Sequence, residues 1–153
     1  MSEQSEKPMT LAETTRSGPG RVLIALYAVF ALGATSRSVV QILLQFHRAP
    51  LAYILSAFAA VVYIVATVCL ARASATSRRV AVISCTVELV GVLAIGTASV
   101  LAPSAFPDAT VWSVYGEGYF FIPVILPILG ILWVRHTAKL SSPRSPVDQT
   151  GSR

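Results

Sequence analysis

The 153-residue sequence has few charged side chains. Asp, Glu, Lys and Arg make up 12% of it, whereas a soluble globular domain has about 25%. Hydrophobic residues make up 54%, and they fall in runs of about twenty residues, which is the length that crosses a bilayer as one helix. This composition excludes an ordinary soluble domain and predicts an integral membrane protein. The net charge of +5 does not indicate nucleic-acid binding, because the basic residues gather at one side of the predicted membrane.

Cysteine and histidine are also scarce, with two of each. Cys69 and Cys85 lie inside apolar runs, where an unpaired thiol behaves as a small hydrophobic side chain. His47 and His136 are predicted on opposite sides of the membrane and cannot share a metal ion. The sequence has no GxxxxGK phosphate-binding loop and no Ser-His-Asp or Cys-His set at one depth. We therefore predict no metal, no cofactor and no enzymatic activity.

Four apolar runs predict an all-α membrane protein, built as a four-transmembrane-helix bundle. Each run can cross about 30 Å of hydrocarbon at about 1.5 Å per residue. The predicted helices span about 22–46, 51–70, 80–101 and 111–134. Two polar tails, residues 1–20 and 138–153, are predicted to be disordered and to flank a transmembrane domain of residues 21–137. The first tail ends in a helix breaker, Gly18-Pro19-Gly20.

The basic residues lie almost entirely on one side of this topology. Ten of the twelve Lys and Arg share that side, namely Lys7, Arg16, Arg21, Arg72, Arg78, Arg79, Arg135, Lys139, Arg144 and Arg153. Arg48 alone lies in the opposite loops, and Arg37 lies within the first span. By the positive-inside rule, both termini are therefore predicted to be cytoplasmic. The inner basic residues are also expected to contact anionic lipid headgroups of the bilayer.

Arg37 is a charge inside the first apolar run. A guanidinium stays protonated, so within a membrane it needs a carboxylate, carbonyl oxygens or water. Two acids lie in other predicted helices: Glu88 in the third, and Glu117 near the start of the fourth, which Asp108 is predicted to cap. Counting residues along the helices places Arg37 between the two acids in depth, so each of them is a candidate ion-pair partner.

The remaining candidates extend the polar faces of the predicted helices. Gln41 follows Arg37 by one turn, Ser84 precedes Glu88 by one turn, and Tyr63 lies on the polar face of the second helix. The predicted intramembrane binding cluster is Arg37, Gln41, Tyr63, Ser84, Glu88 and Glu117. One interpretation is a structural ion pair among hydrogen-bonded helices, and the other is a site for a ligand, a proton or an ion.

Four stretches resemble an uncharacterised family of small four-span integral membrane proteins of actinobacteria. They are residues 26–42 (LYAVFALGATSRSVVQI), 49–68 (APLAYILSAFAAVVYIVATV), 87–93 (VELVGVL) and 106–133 (FPDATVWSVYGEGYFFIPVILPILGILW). The resemblance covers the membrane core, implies a plasma membrane location and brings no activity with it. Small multidrug transporters also have four short helices, but their essential acid lies on the first helix. Arg37 stands there in this chain, so their function does not transfer.

Three functional interpretations follow from these patterns. The first is a non-enzymatic multi-pass membrane protein, an accessory or partner-binding subunit that associates with copies of itself or with another membrane protein. The second is a small transporter or channel subunit that uses Glu88 as its protonatable site. The third is a lipid-headgroup binder or lipid-modifying enzyme with Arg37 and Glu117 facing the outer leaflet.

Overall fold

The computed structural model describes residues 18–72 and 74–140. Within this part of the chain lie four helices long and apolar enough to cross a membrane. They are α1 (Gly18–Gln45), α2 (Pro50–Arg72), α3 (Ala75–Leu101) and α4 (Ile122–Leu140). The described residues contain no strand. The predicted all-α, four-helix membrane fold is confirmed.

Consecutive helices pack side by side, α1 on α2, α2 on α3 and α3 on α4, whereas α1 and α4 touch only sparingly. The bundle has two distinct ends. The arginine end holds the start of α1, the turn at Ser74 and the end of α4. The loop end holds the turn between α1 and α2 and residues 102–121.

The packing is apolar outside and partly polar inside. Large aliphatic side chains cover the outer surface, and Leu43 and Leu44 are each 76% exposed. Alanines and three fully buried tyrosines, Tyr27, Tyr53 and Tyr63, fill much of the interior. Small residues allow helices to approach closely, and the tyrosine hydroxyls hydrogen-bond inside the bundle. Such a surface is suited to lipid rather than to water.

The fourth helix begins at Ile122, so its predicted start at residue 111 is wrong. Residues 102–121 instead form an irregular segment with two short 3₁₀ turns, Pro103–Ala105 and Ser113–Tyr119. Helical geometry fails here because Val114, Tyr115 and Gly116 have left-handed backbone angles. The contacts of the segment with the bundle override the apolar composition on which the prediction depended.

Residues 102–121 turn back into the bundle, and we call them the re-entrant segment. The Trp112 ring lies against Gly91, ten residues and thus about 15 Å before the end of α3. A Cβ atom added at Gly91 would lie 2.6 Å from that ring, so only glycine allows the approach. Irregular backbone is tolerated at this depth when protein buries it. The segment therefore completes the loop end of the bundle, where α4 is too short to do so.

The helix ends differ from the predicted ones in three further places. Gly18-Pro19-Gly20 opens α1 rather than breaking it, because proline is compatible with the first turn of a helix. Ser74 caps α3 by accepting a hydrogen bond from the Ser77 amide, which starts this helix five residues before residue 80. Helix α4 continues to Leu140, past its predicted end at about residue 134 and into the predicted tail that began at residue 138. The rest of the two predicted tails, residues 1–17 and 141–153, lies outside the described residues.

Candidate functional site

Arg37 is held entirely by uncharged acceptors. Its Nη2 donates to the carbonyl oxygen of Ala109 at 2.7 Å, and its Nη1 donates to the Tyr119 hydroxyl at 2.8 Å. Its Nε donates to Gln41 Oε1 at 3.3 Å. Ala109 and Tyr119 belong to the two limbs of the re-entrant segment, so one guanidinium fastens both limbs to α1. We call this arrangement the Arg37 clamp.

The predicted ion pair of Arg37 with Glu88 or Glu117 is not formed. Glu88 is fully buried and is bound by Tyr27, while Glu117 is exposed on the re-entrant segment. The prediction failed because it assumed regular helices. The irregular backbone around Ala109 offers a carbonyl oxygen that an intact helix would have used internally.

A second fastening lies beside the clamp. In the stretches 18–72 and 74–140 the one salt bridge joins Arg48 Nε to Asp108 Oδ1 at 3.2 Å. The other carboxylate oxygen of Asp108 accepts a hydrogen bond from the Tyr53 hydroxyl. Asp108 therefore ties the re-entrant segment to α2 and to the turn before it, and its predicted role as the cap of the fourth helix is wrong. The sequence placed Arg48 in a loop and Asp108 at the start of the fourth helix, on the same side of the membrane. This shared position was the signal from which the pair could have been predicted.

Glu88 is the centre of a buried polar network. Its Oε2 accepts a hydrogen bond from the Tyr27 hydroxyl at 2.9 Å, and that hydroxyl lies 3.3 Å from Cys85 Sγ. Tyr63 lies close to the same carboxyl group, and its hydroxyl accepts a hydrogen bond from Trp112 Nε1 at 3.2 Å. The Oε1 atom of Glu88 is buried and has no hydrogen-bond partner in the described part of the chain. These five residues, the Glu88 network, join three helices and the re-entrant segment.

Helix α4 meets the Glu88 network at Gly130. A Cβ atom there would lie 2.7 Å from Cys85 Sγ and 3.3 Å from the Tyr27 hydroxyl. The missing side chain thus lets α4 close over the network. Cys85 is a free thiol, as is Cys69. Sequence reasoning missed Tyr27 and Gly130, although a tyrosine in the middle of an apolar run is a signal for a buried hydrogen bond.

The six predicted cluster residues do not form one site. Arg37 and Gln41 meet in the clamp, and Tyr63 and Glu88 meet in the network. Ser84 is buried one turn from Glu88 but takes no part in the hydrogen bonds of the network. Glu117 stands apart from both groups. The bundle therefore contains two polar assemblies with separate hydrogen-bond partners.

Comparisons with protein-family models, with curated proteins and with solved structures give no match for this chain. The resemblance to actinobacterial membrane proteins therefore stays a prediction.

Proposed function

We propose that the protein is a non-enzymatic accessory subunit of the plasma membrane that binds a partner membrane protein through its loop end. The Arg37 clamp carries the proposal. By fixing the re-entrant segment at Ala109 and Tyr119, the clamp gives the loop end a defined surface. Phe120 stands on that surface with 85% of its area exposed, beside the half-exposed Phe121.

The backbone of this surface is strained in a way that supports the proposal. Val114, Tyr115, Phe120 and Phe121 have φ angles of 49°, 58°, 55° and 57°. Left-handed geometry costs a non-glycine residue roughly 1–2 kcal/mol, and it is a true outlier for a β-branched one. Strain of this kind persists only where the surroundings enforce it, and it gathers at functional sites.

The chemistry of the surface indicates what a partner would bring. Glu117 is an exposed carboxylate with no hydrogen bond or ion pair in the described part of the chain, and it lies three residues from Phe120. An apolar patch beside an unpaired acid is complementary to an apolar surface that carries an arginine or a lysine. We expect the partner to present such a basic residue near the membrane surface.

We further propose that the loop end faces outward and both termini face the cytoplasm. The described basic residues of the arginine end support this orientation; they are Arg21, Arg72, Arg78, Arg79, Arg135 and Lys139. Arginine and lysine concentrate on the cytoplasmic side of membrane proteins.

Cysteine labelling tests the binding surface and the orientation together. Phe120→Cys, expressed at its native level, is expected to react slowly with a membrane-impermeant maleimide in intact cells, because the partner covers it. The same variant, purified and reconstituted in vesicles of the same lipids, is expected to react much faster. His47→Cys is the matched control, since residue 47 is exposed in the turn between α1 and α2 at the same end of the bundle. This control should react at the same rate in cells and in vesicles. The unsubstituted protein, which keeps Cys69 and Cys85, measures the background labelling.

Equal rates for Phe120→Cys in the two membranes would show that nothing covers the loop end. Ser74→Cys should react only after the cells are permeabilised. Reaction of Ser74→Cys in intact cells would reverse the proposed orientation.

A second candidate function is a small transporter that uses Glu88 to carry a proton. The buried, unpartnered Oε1 atom favours this candidate, because that atom is free to accept a proton without breaking the bond to Tyr27. The test is proton-linked flux into liposomes by the parent protein and by Glu88→Gln, which keeps the shape of the side chain. The accessory-subunit proposal expects no flux from the parent. If the parent protein carries protons and a well-folded Glu88→Gln variant does not, the protein is a transporter and the accessory-subunit proposal is wrong.

A further inference from the structure

We infer that the arginine end carries a binding site for an anionic phospholipid, formed by two grooves that flank α4. The first groove, of about 970 Å³, separates α4 from α1, and the second, of about 580 Å³, separates α4 from α3. Both volumes lie in the range of about 300–1,000 Å³ that is usual for ligand sites. The loop end has no part in either groove.

The first groove combines apolar walls with a basic rim. Leu26 of α1 and Leu129 and Leu132 of α4 line its walls. Arg135 and Lys139 line it toward the end of α4. An acyl chain fits the walls, and a phosphate fits the rim. Basic pockets between transmembrane helices are known to bind acidic headgroups.

Three guanidinium groups meet at the second groove. Arg78 and Arg79 reach it from α3, and Arg135 reaches it from α4. None of them has a salt bridge among the described residues. Arg78 makes one long hydrogen bond, from Nη2 to the Val134 carbonyl oxygen at 3.5 Å, and its buried Nε has no partner. Three arginines without a carboxylate are an incomplete arrangement that a phosphate would complete, because guanidinium groups bind phosphate oxygens in pairs.

The start of α3 adds to this positive field. Ala75, its first residue, lines the second groove, and the Ser74 cap fixes the helix end there. The positive end of a helix dipole favours a nearby anion. The helix end alone would attract an anion only weakly, but here it lies at the same groove as the three arginines.

Arg135 lines both grooves, and its position indicates which kind of ligand binds there. A headgroup bound at Arg135 has an apolar groove on each side of α4 for its acyl chains. In a membrane the acyl chains of lipids already cover these apolar walls, so a lipid headgroup lies within reach of Arg135. An anionic phospholipid satisfies both the arginines and the walls.

Trp133 provides an intrinsic probe, because its side chain lines the first groove. The purified full-length protein is reconstituted with phosphatidylglycerol or phosphatidylcholine that carries the same brominated acyl chains, which quench nearby tryptophans. We expect phosphatidylglycerol to quench at a lower mole fraction than phosphatidylcholine. Trp112, the second tryptophan, is buried near the loop end and gives a constant background. The double variant Arg79→Gln/Arg135→Gln should lose the preference, by about fivefold for each arginine removed.

The control is Arg21→Gln/Arg72→Gln, which removes the same charge from exposed positions at the same end but outside both grooves. It should keep the preference for phosphatidylglycerol. Equal quenching by the two lipids in the parent would overturn the inference. An equal loss in the control would also overturn it, because the preference would then reflect diffuse surface charge. If the double variant does not fold, the single variant Arg135→Gln is tested instead, because the Arg135 side chain is exposed and its replacement should not disturb folding. The partner at the loop end is tested separately, so either proposal can fail without the other.

Discussion

Replacing Trp112 with alanine is expected to lower the free energy of unfolding by about 3–5 kcal/mol, the usual cost of removing a large buried aromatic side chain. Trp112 is 2% exposed, and its ring packs edge-on to Phe58 with the centroids 6.1 Å apart. Its indole nitrogen donates to Tyr63, which lies beside Glu88. Alanine would leave a cavity against Gly91 and would take one member from the Glu88 network. Reversible denaturation in mixed micelles, followed by circular dichroism, measures the change.

Trp112→Phe is the matched control, because it keeps an aromatic ring in the cavity and removes only the indole hydrogen bond. We expect it to lose about 1 kcal/mol from the missing bond and a further part from the smaller ring. An alanine variant as stable as the phenylalanine variant would show that the re-entrant segment does not pack against α3.

Replacing Arg37 with glutamine is expected to lower the free energy of unfolding by about 2–3 kcal/mol and to release the re-entrant segment locally. Hydrogen bonds from a charged donor are worth about 1.5–3 kcal/mol each, and the total is reduced here because Arg37 is only half-buried. The local effect is measured with Val111→Cys, a buried position between Ala109 and Tyr119. Its thiol should react with maleimide much faster when Arg37 is replaced, because the limbs of the segment then open.

Arg48→Gln is the control for this prediction. Arg48 is the other arginine that fastens the segment, but its side chain is 67% exposed, and such ion pairs contribute about 0–1 kcal/mol. It should change the labelling of Val111→Cys only slightly. If Arg37→Gln leaves the labelling rate unchanged, the clamp does not hold the segment.

The first three helices were predictable because their physical signal is local. Long apolar runs that can satisfy their backbone only as helices predict α1, α2 and α3 with ends within a few residues. The start of α4 was not predictable in this way. Residues 111–121 adjoin the apolar run of α4 in the sequence, but burial of Trp112 against Gly91 draws them into the bundle. That contact joins positions far apart in the sequence and leaves no local pattern.

The polar residues show the same limit. The sequence indicates that Arg37 and Glu88 need partners, since a charge in a membrane is costly. It indicates Gln41, which lies one helical turn away. It does not indicate the Ala109 carbonyl oxygen, because an acceptor becomes available only where the backbone departs from a helix. The sequence does not predict the pairing of Glu88 with Tyr27 either. That pairing depends on how α1 is rotated relative to α3, and packing sets this rotation.

During synthesis, Arg37 leaves the ribosome long before the groups that bind it. Ala109 and Tyr119 lie 72 and 82 residues further along the chain, so at about 5–20 residues per second they follow roughly 4–16 seconds later. In that interval Gln41 is the one partner of the clamp that has already been made. The first helix thus enters the membrane before two of its arginine's three partners have been made, and the clamp is completed by residues in the last third of the chain. The clamp therefore joins an early helix to a segment that is made much later.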